Sequence, residues 1–454
     1  MLFKVGGVSD PKQEEAETVK KSEISARLHR YYKGKIEVEP KCPVRSLDDF
    51  SIWYTPGVAG PSVEISENSD LSYEYTNRGN LIAIVSDGSR VLGLGKIGPQ
   101  AALPVMEGKA LLYKYLGGVD AYPIVLSTES AEDLVKTVIF LSPSFGGINL
   151  EDIEAPKCFT VLDRLRNQAP IPVWHDDQQG TATVIMAALK NALKLTSRSL
   201  KNSKIALIGA GAASVATARL LFLSGLPKES LIVCDSAGIL HPERDDLDRL
   251  QLKNPWKYSL AIETNGERRK GGIREALVNT DVCISAAASG PGVIKPEWVA
   301  EMNRPSIIFA LANPIPEIWP REAKSSGAAI VATGRSDFPN QVNNSLVFPA
   351  VFRGTLDVMA RSITDEMCLA AADALADYAQ VKGLSEDHIL PTMDEWEVYT
   401  LEAAAVGSKA IAQGLARVNK TEQELREGAY EKILAARKKV ELLMKEGLIA
   451  ATPR

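Results

Sequence analysis

The sequence predicts an α/β protein whose second half is a doubly wound parallel sheet, followed by a helical tail. Three observations carry this. Short apolar runs of strand length alternate with helix-like stretches from Trp53 onward. A Gly-Ala-Gly turn at Gly209–Gly211 stands between one such run and a helix. From about Asp365 the chain becomes rich in Ala, Glu and Lys and shows no further strand pattern.

The chain has 454 residues, of which 45% are apolar and 24% charged, enough for two or three domains with real cores. A disordered or fibrous protein is excluded. The net charge of -5 argues against a non-specific nucleic-acid or membrane-surface binder. Five scattered cysteines (Cys42, Cys158, Cys234, Cys283 and Cys368) form no C-x-x-C pair, which reads as reduced thiols in a cytoplasmic protein. The first residues lack an apolar leader, and no uncharged stretch reaches the roughly 18–20 apolar residues of a membrane span.

Taken in order, residues 12–34 read as one or two helices ending near Gly34. LIAIVSDG, AYPIVLS and INL follow as strands, with MEGKALLYKYL and AEDLVKTVIFLS as helices between them. KIALIG is a buried strand and VATARLLFLSG a helix stopped by Gly225. LIVCD, TDVCISAA, PSIIFALAN and AAIVATG are further short apolar runs, so several βα units succeed one another. Thr421 and Glu424 make a capping box. The helix behind it carries Leu425, Ala429, Ile433, Ala436, Val440 and Leu443 on one face, to pack on the body or on a second subunit.

Gly209-Ala210-Gly211-Ala212-Ala213-Ser214 follows a strand and opens a helix. The first glycine permits a tight turn, the second lets backbone amides approach a pyrophosphate, and the helix N-terminus adds positive charge. Asp235 ends the next strand, where a carboxylate can accept bonds from the adenosine ribose hydroxyls. Strand, turn, helix, strand and acid together predict a Rossmann-type site for NAD or NADP. Asp235 would repel a 2′-phosphate, whereas His241 and Arg244 nearby could offset it, so the choice between the two stays open.

Acids also follow two apolar runs: Glu151-Asp152 after INL, and His175-Asp176-Asp177 after IPVW. At the carboxyl ends of strands both pairs could converge on one cleft. Clustered carboxylates need a cation to coexist, and oxygen ligands suit Mg²⁺ or Mn²⁺. Solvated loop acids, or an Asp177 serving as a helix N-terminal anion, account for the same residues. Tyr54 beside Trp53 reads equally as packing, Lys109 as a surface cation, and Asn313-Pro314 as a turn.

These motifs together resemble the malic enzyme family, in its short prokaryotic and archaeal type, from about Trp53 through Ala370. The resemblance is carried by Tyr54-Thr55-Pro56-Gly57-Val58-Ala59, Asp87–Gly95, Pro104-Val105-Met106-Glu107-Gly108-Lys109, Glu151-Asp152 and His175–Thr181. It continues through the glycine turn, Ala312-Asn313-Pro314 and Asn340–Asn344. It implies oxidative decarboxylation of L-malate to pyruvate and CO₂ with NAD or NADP and a divalent cation, in a homodimer. It implies metal ligation by Glu151, Asp152 and Asp177, Lys109 as general base and Tyr54 as general acid. Arg90, Asn313 and Asn344 would contact the substrate carboxylates, with Asn343 the adjacent alternative to Asn344; Asn313 would also border the cofactor.

The chemistry is consistent with those roles. A base removes the 2-hydroxyl proton as hydride leaves, which lysine does only when neutral, and its ordinary pKa is roughly 10.4. A metal and Arg90 nearby are expected to lower that value. A cation polarises the resulting 2-oxo acid for loss of CO₂, and a phenol can protonate C3. The expected division is a substrate domain at 1–175, an NAD(P)-binding domain at 176–365 and a helical segment at 366–454. The alternatives are a malolactic enzyme, a metal-free amino-acid dehydrogenase, and a non-catalytic NAD-sensing module. The last two have no use for the acid trio.

Overall fold

A computed structural model describes residues 11–453, with side chains from residue 19 onward. The reading of Met1–Asp10 as free of a leader lies outside the described residues. Among the described residues ten strands form two sheets, with helices between the strands.

The first sheet contains β1 (Leu81–Ser86), β2 (Asp120–Val125), β3 (Gly147–Leu150) and β4 (Val173–His175), in the order β2-β1-β3-β4, all parallel. All of β3 and β4 and all but the first residue of β1 are buried, as expected of parallel strands covered on both faces. The helix Pro99–Gly117 crosses from β1 to β2, and its buried stripe includes Ala102, Met106, Lys109, Ala110 and Tyr113. Their spacing is that of one helical face, and among them only Lys109 is charged.

The second sheet contains β5 (Ile205–Ile208), β6 (Leu231–Asp235), β7 (Gly238–Ile239), β8 (Val282–Ser285), β9 (Ser306–Ala310) and β10 (Ala328–Thr333). Its order is β10-β9-β8-β5-β6-β7, parallel except for the short β6–β7 pair. The order reverses beside β5, and that switch point is where open α/β sheets take their ligands. The doubly wound sheet expected from sequence is therefore present.

The helix Thr181–Leu195, buried along nearly its whole length, leads from the first sheet to the second. The tail forms the helices Asp365–Lys382, Val398–Ala412 and Glu422–Lys445. The capping box at Thr421 and Glu424 is formed, and Leu425, Ala429, Ile433 and Ala436 are buried, while Val440 and Leu443 are half-buried. The tail is tied back by a buried pair: Arg353 donates to Asp357 at 2.8 and 2.9 Å and to Asn80 at 2.6 Å, and Lys432 also reaches Asp357. Among the described residues no helix is long and apolar enough to cross a membrane.

Candidate active site

Strand register brings the two acid pairs together. Leu150 of β3 lies opposite His175 of β4, so the residues that follow leave the sheet side by side. Glu151 and Asp152 continue one strand; Asp176 and Asp177 open a wide π-type turn, Asp176–Gly180, that leads into the long buried helix. Gly180 is required there, because a Cβ would stand 2.0 Å from the Asp176 carboxylate. The N–H of Asp152 donates to Asp177 Oδ2 at 2.9 Å, and the N–H of Arg90 donates to the Asp152 carbonyl at 3.0 Å.

Glu151, Asp152 and Asp177 each bring a carboxylate oxygen within 4.8 Å of the others. Asp152 Oδ2 is buried with no hydrogen-bond partner. Burial pushes all three carboxyls above the usual range, and for Glu151 and Asp152 the neighbouring carboxylates add to it, taking Asp152 to about 8. An orphaned oxygen within a hard, crowded donor set fits a divalent cation.

Lys109 enters this cluster from the helix Pro99–Gly117. Its ammonium contacts Asp176 and lies 2.9 Å from Glu151, 4.2 Å above the Phe348 ring. Burial alone would depress its pKa, but Asp176 and Glu151 outweigh burial and hold it above the ordinary lysine value. In the chain by itself the nearest charges are two anions, Asp176 and Glu151. Asp176 also accepts from the Trp174 indole at 3.1 Å.

A second line of contacts has little signature in the sequence. The Tyr113 hydroxyl donates to Asn149 Oδ1 at 2.7 Å, and Asn149 Nδ2 donates to Glu151 Oε2 at 2.9 Å. Its one sequence signal is a polar residue inside the otherwise apolar strand Gly147–Leu150. Asp176 was legible only as part of the acid run. His175 is fully buried, its Nδ1 lies 3.6 Å from Asp177, and burial drives its pKa down to about 3, so it stays neutral.

The remaining expected residues are distributed as follows. Asn344 adjoins the acid turn: a Cβ at Gly180 would lie 3.3 Å from its Cβ. Asn343 spends its amide locally, accepting from Ser345 N–H at 2.9 Å and donating to the Gly334 carbonyl at 3.4 Å. Asn313 presses its carbonyl against Gly93, in the turn that carries Arg90. Tyr54 is not brought to Lys109. It caps the short helix Asp49–Trp53, is 71% exposed, and its hydroxyl makes no hydrogen bond among the described residues.

At the glycine turn, Gly209 has φ +99°, and a Cβ would stand 2.7 Å from the Ala286 carbonyl. Gly211 is the N-cap of the helix Ala212–Leu223, and a Cβ there would meet nothing. The space over that N-terminus is open, which fits a phosphate. Ala210, Ala212 and Ala213 are half-buried and Ser214 is buried, so the hydroxyl is accommodated in the helix packing. Asp235 ends β6 already engaged, by Arg244 at 2.9 Å, Lys257 at 3.0 Å and the Ala237 N–H at 2.9 Å. Burial would raise its carboxyl, but these bonds hold it below the usual range. Of the two cationic candidates near it in sequence, Arg244 does the neutralising and His241 does not; Lys257 adds a second charge.

Comparison with known proteins bears on the family of the chain. The family model described as "Malic enzyme, N-terminal domain" matches residues 33–133, and "Malic enzyme, NAD binding domain" matches residues 178–411. The bifunctional malic/malolactic enzyme of Bacillus subtilis is 45% identical over 405 residues, covering 89% of this chain and 97% of that one. The NAD-dependent malic enzyme of Geobacillus stearothermophilus is 46% identical over 384 residues, 85% of this chain and 78% of that one. The crystal structure of Entamoeba histolytica malic enzyme superposes with a TM-score of 0.94 at 43% identity, covering 98% of this chain and 93% of that one. Two family domains in succession, and relatives matched along most of both chains, lead to one assignment: the chain belongs to the malic enzyme family.

Proposed function

We propose that the chain catalyses oxidative decarboxylation of L-malate to pyruvate and CO₂ with reduction of NAD or NADP. The observation that carries this reading is Lys109, buried against Asp176 and Glu151 beside the trio of Glu151, Asp152 and Asp177. That trio would hold Mg²⁺ or Mn²⁺, which supplies Lewis-acid polarisation of the substrate oxygens when bound. Lys109 is the base: with Glu151 engaged as a ligand, Asp176 alone is left to hold the ammonium, and the proton leaves more readily. Asp176 then orients the amine toward the 2-hydroxyl and stabilises the charge it gains. Arg90, Asn313 and Asn344 bind the malate carboxylates. Asn344 is preferred to Asn343, whose amide is already committed. Tyr54 is the acid that protonates C3.

The glycine turn Gly209–Ser214 and Asp235 take the dinucleotide. The division into a substrate domain at 1–175, an NAD(P)-binding domain at 176–365 and a helical segment at 366–454 is proposed with it. So are a cytoplasmic location, to which five unpaired cysteines are suited, and a homodimer. Phe50, Ile52, Trp53, Tyr54, Val58 and Val63 are exposed together on the 50–63 segment, and the helix Ala59–Glu67 buries no residue. An apolar face of this kind is suited to a second copy of the chain, which would also enclose Tyr54.

The test supplies malate and Mn²⁺ with NAD or NADP in turn, following pyruvate and reduced nicotinamide. Stoichiometric appearance of both is the expected result. Lactate without net reduced cofactor would establish the malolactic reading instead, which the Bacillus subtilis relative's name keeps in view.

A further inference from the structure

Glu317 is a carboxylate with no exposed surface, placed between Asn313 and the helix Pro320–Ser325 at the carboxyl edge of the second sheet. Its Oε1 accepts from the Ser285 hydroxyl at 2.7 Å and the Ala287 N–H at 2.9 Å; its Oε2 accepts from the Ala312 N–H at 3.0 Å. These donors belong to two different strand ends. Ser285 closes β8 and Ala287 lies in the loop after it, whereas Ala312 follows β9 and immediately precedes Asn313. Farther out the same two loops are joined again, by Ser289 Oγ donating to the Ile315 carbonyl at 3.0 Å and Gly290 N–H donating to it at 3.2 Å.

Each of the two loops touches one half of the site. The Ala286 carbonyl packs against Gly209 of the dinucleotide turn, and the Asn313 carbonyl packs against Gly93 of the Arg90 turn. Burial pushes the Glu317 carboxyl above the usual range, and the bonds from Ala287, Ala312 and Ser285 oppose that shift. An apolar side chain would close this turn without desolvating a carboxyl group. What a carboxylate adds is a pair of rigidly spaced acceptors that hold particular N–H groups in place.

We propose that Glu317 is a positioning residue for the reaction: one carboxylate holds Ala287 and Ala312 and so sets the spacing between the cofactor-side loop after β8 and the substrate-side Asn313. This rests on the reading of Asn313 as a malate contact.

The experiment compares Glu317→Gln, Ser285→Ala and Asn313→Ala in the full chain. Glutamine keeps the shape of Glu317, but either rotamer turns its NH₂ toward a backbone N–H. The KM for malate in Glu317→Gln is expected to rise at least about tenfold while the affinity for ADP-ribose, which lacks the nicotinamide, is retained. Parallel losses in ADP-ribose binding and melting temperature, with no separate effect on malate, would reduce Glu317 to a structural residue and overturn the proposal. A wild-type malate KM in Glu317→Gln, with a raised one in Asn313→Ala, would overturn the positioning role alone. An unchanged KM in Asn313→Ala removes the contact on which the proposal depends, and the proposal with it. Should Glu317→Gln not fold, Ser285→Ala decides: a smaller rise in the same direction supports the role, and none refutes it.

Discussion

Lys109 and Asp176, separated by 67 residues, form a buried ion pair that ties the helix Pro99–Gly117 to the turn after β4. With Glu151 at 2.9 Å from the same ammonium, one lysine faces two carboxylates, and Asp152 and Asp177 lie just beyond. The arrangement gives two of the four clustered acids a cationic partner, and it places the expected base against one of the acids expected to hold a metal.

Removing the base should slow oxidation without abolishing cofactor binding. Lys109→Ala is expected to cost about 10²–10⁴ in the rate of malate oxidation, the range for loss of a general base. A small primary amine added to the buffer should return part of the rate. A loss below tenfold would take Lys109 out of that role.

Tyr54→Phe keeps the ring and deletes the donor. The measurement is exchange of pyruvate methyl hydrogens in deuterated water with Mn²⁺ and reduced cofactor present, which needs proton transfer at C3 but no hydride transfer. Strong suppression is expected. Exchange at the wild-type rate would leave Tyr54 as a surface aromatic.

For the metal, Asp177→Asn should abolish turnover and weaken Mn²⁺ binding measured by calorimetry, while dinucleotide binding followed by fluorescence stays near wild type. Full turnover of the unmodified chain in excess chelator would contradict the assignment.

Cofactor preference should respond to both members of the Asp235–Lys257 pair in opposite senses. A charge-assisted hydrogen bond is worth about 1.5–3 kcal/mol, so Lys257→Ala should lower the NADP-to-NAD ratio of kcat/KM roughly tenfold or more. Asp235→Ser, which frees Lys257 from its anion and leaves Arg244 on Asp246, should raise it. If neither substitution moves the ratio, the pair does not read the ribose.

Glu402 lies outside the site but is fully buried, and neither of its oxygens has a partner among the described residues. Burial raises its carboxyl well above the usual range, so it keeps its proton to higher pH in the fold than in the unfolded chain. Above an unfolded pKa of about 4.3 the unfolded state gains stability that the folded state does not share, and the fold weakens as pH rises. Glu402→Gln should therefore raise the melting temperature by about 2 °C or more at pH 8, with the gain vanishing near pH 4. An equal gain at both pH values would show that ionisation is not the cause.

By itself the sequence determined the elements and the kinds of chemistry. Strands such as Ile205–Ile208, the turn at Gly209, the stop at Gly225 and the cap at Thr421 are set by local periodicity, backbone freedom and hydrogen bonds within a few residues, so they are legible one segment at a time. The acid pairs after INL and IPVW were visible for the same reason. Only the tertiary structure decided which of those acids meet, because that depends on the β3–β4 register and on a helix arriving from elsewhere in the chain. It gave Lys109 the partner Asp176, paired Asp235 with Lys257, committed the Asn343 amide to its own turn, and left Tyr54 exposed. The Lys109–Asp176 and Asp235–Lys257 pairs are distances through space between residues 67 and 22 positions apart, and a shift of one residue in the β3–β4 register would change those that cross the first sheet.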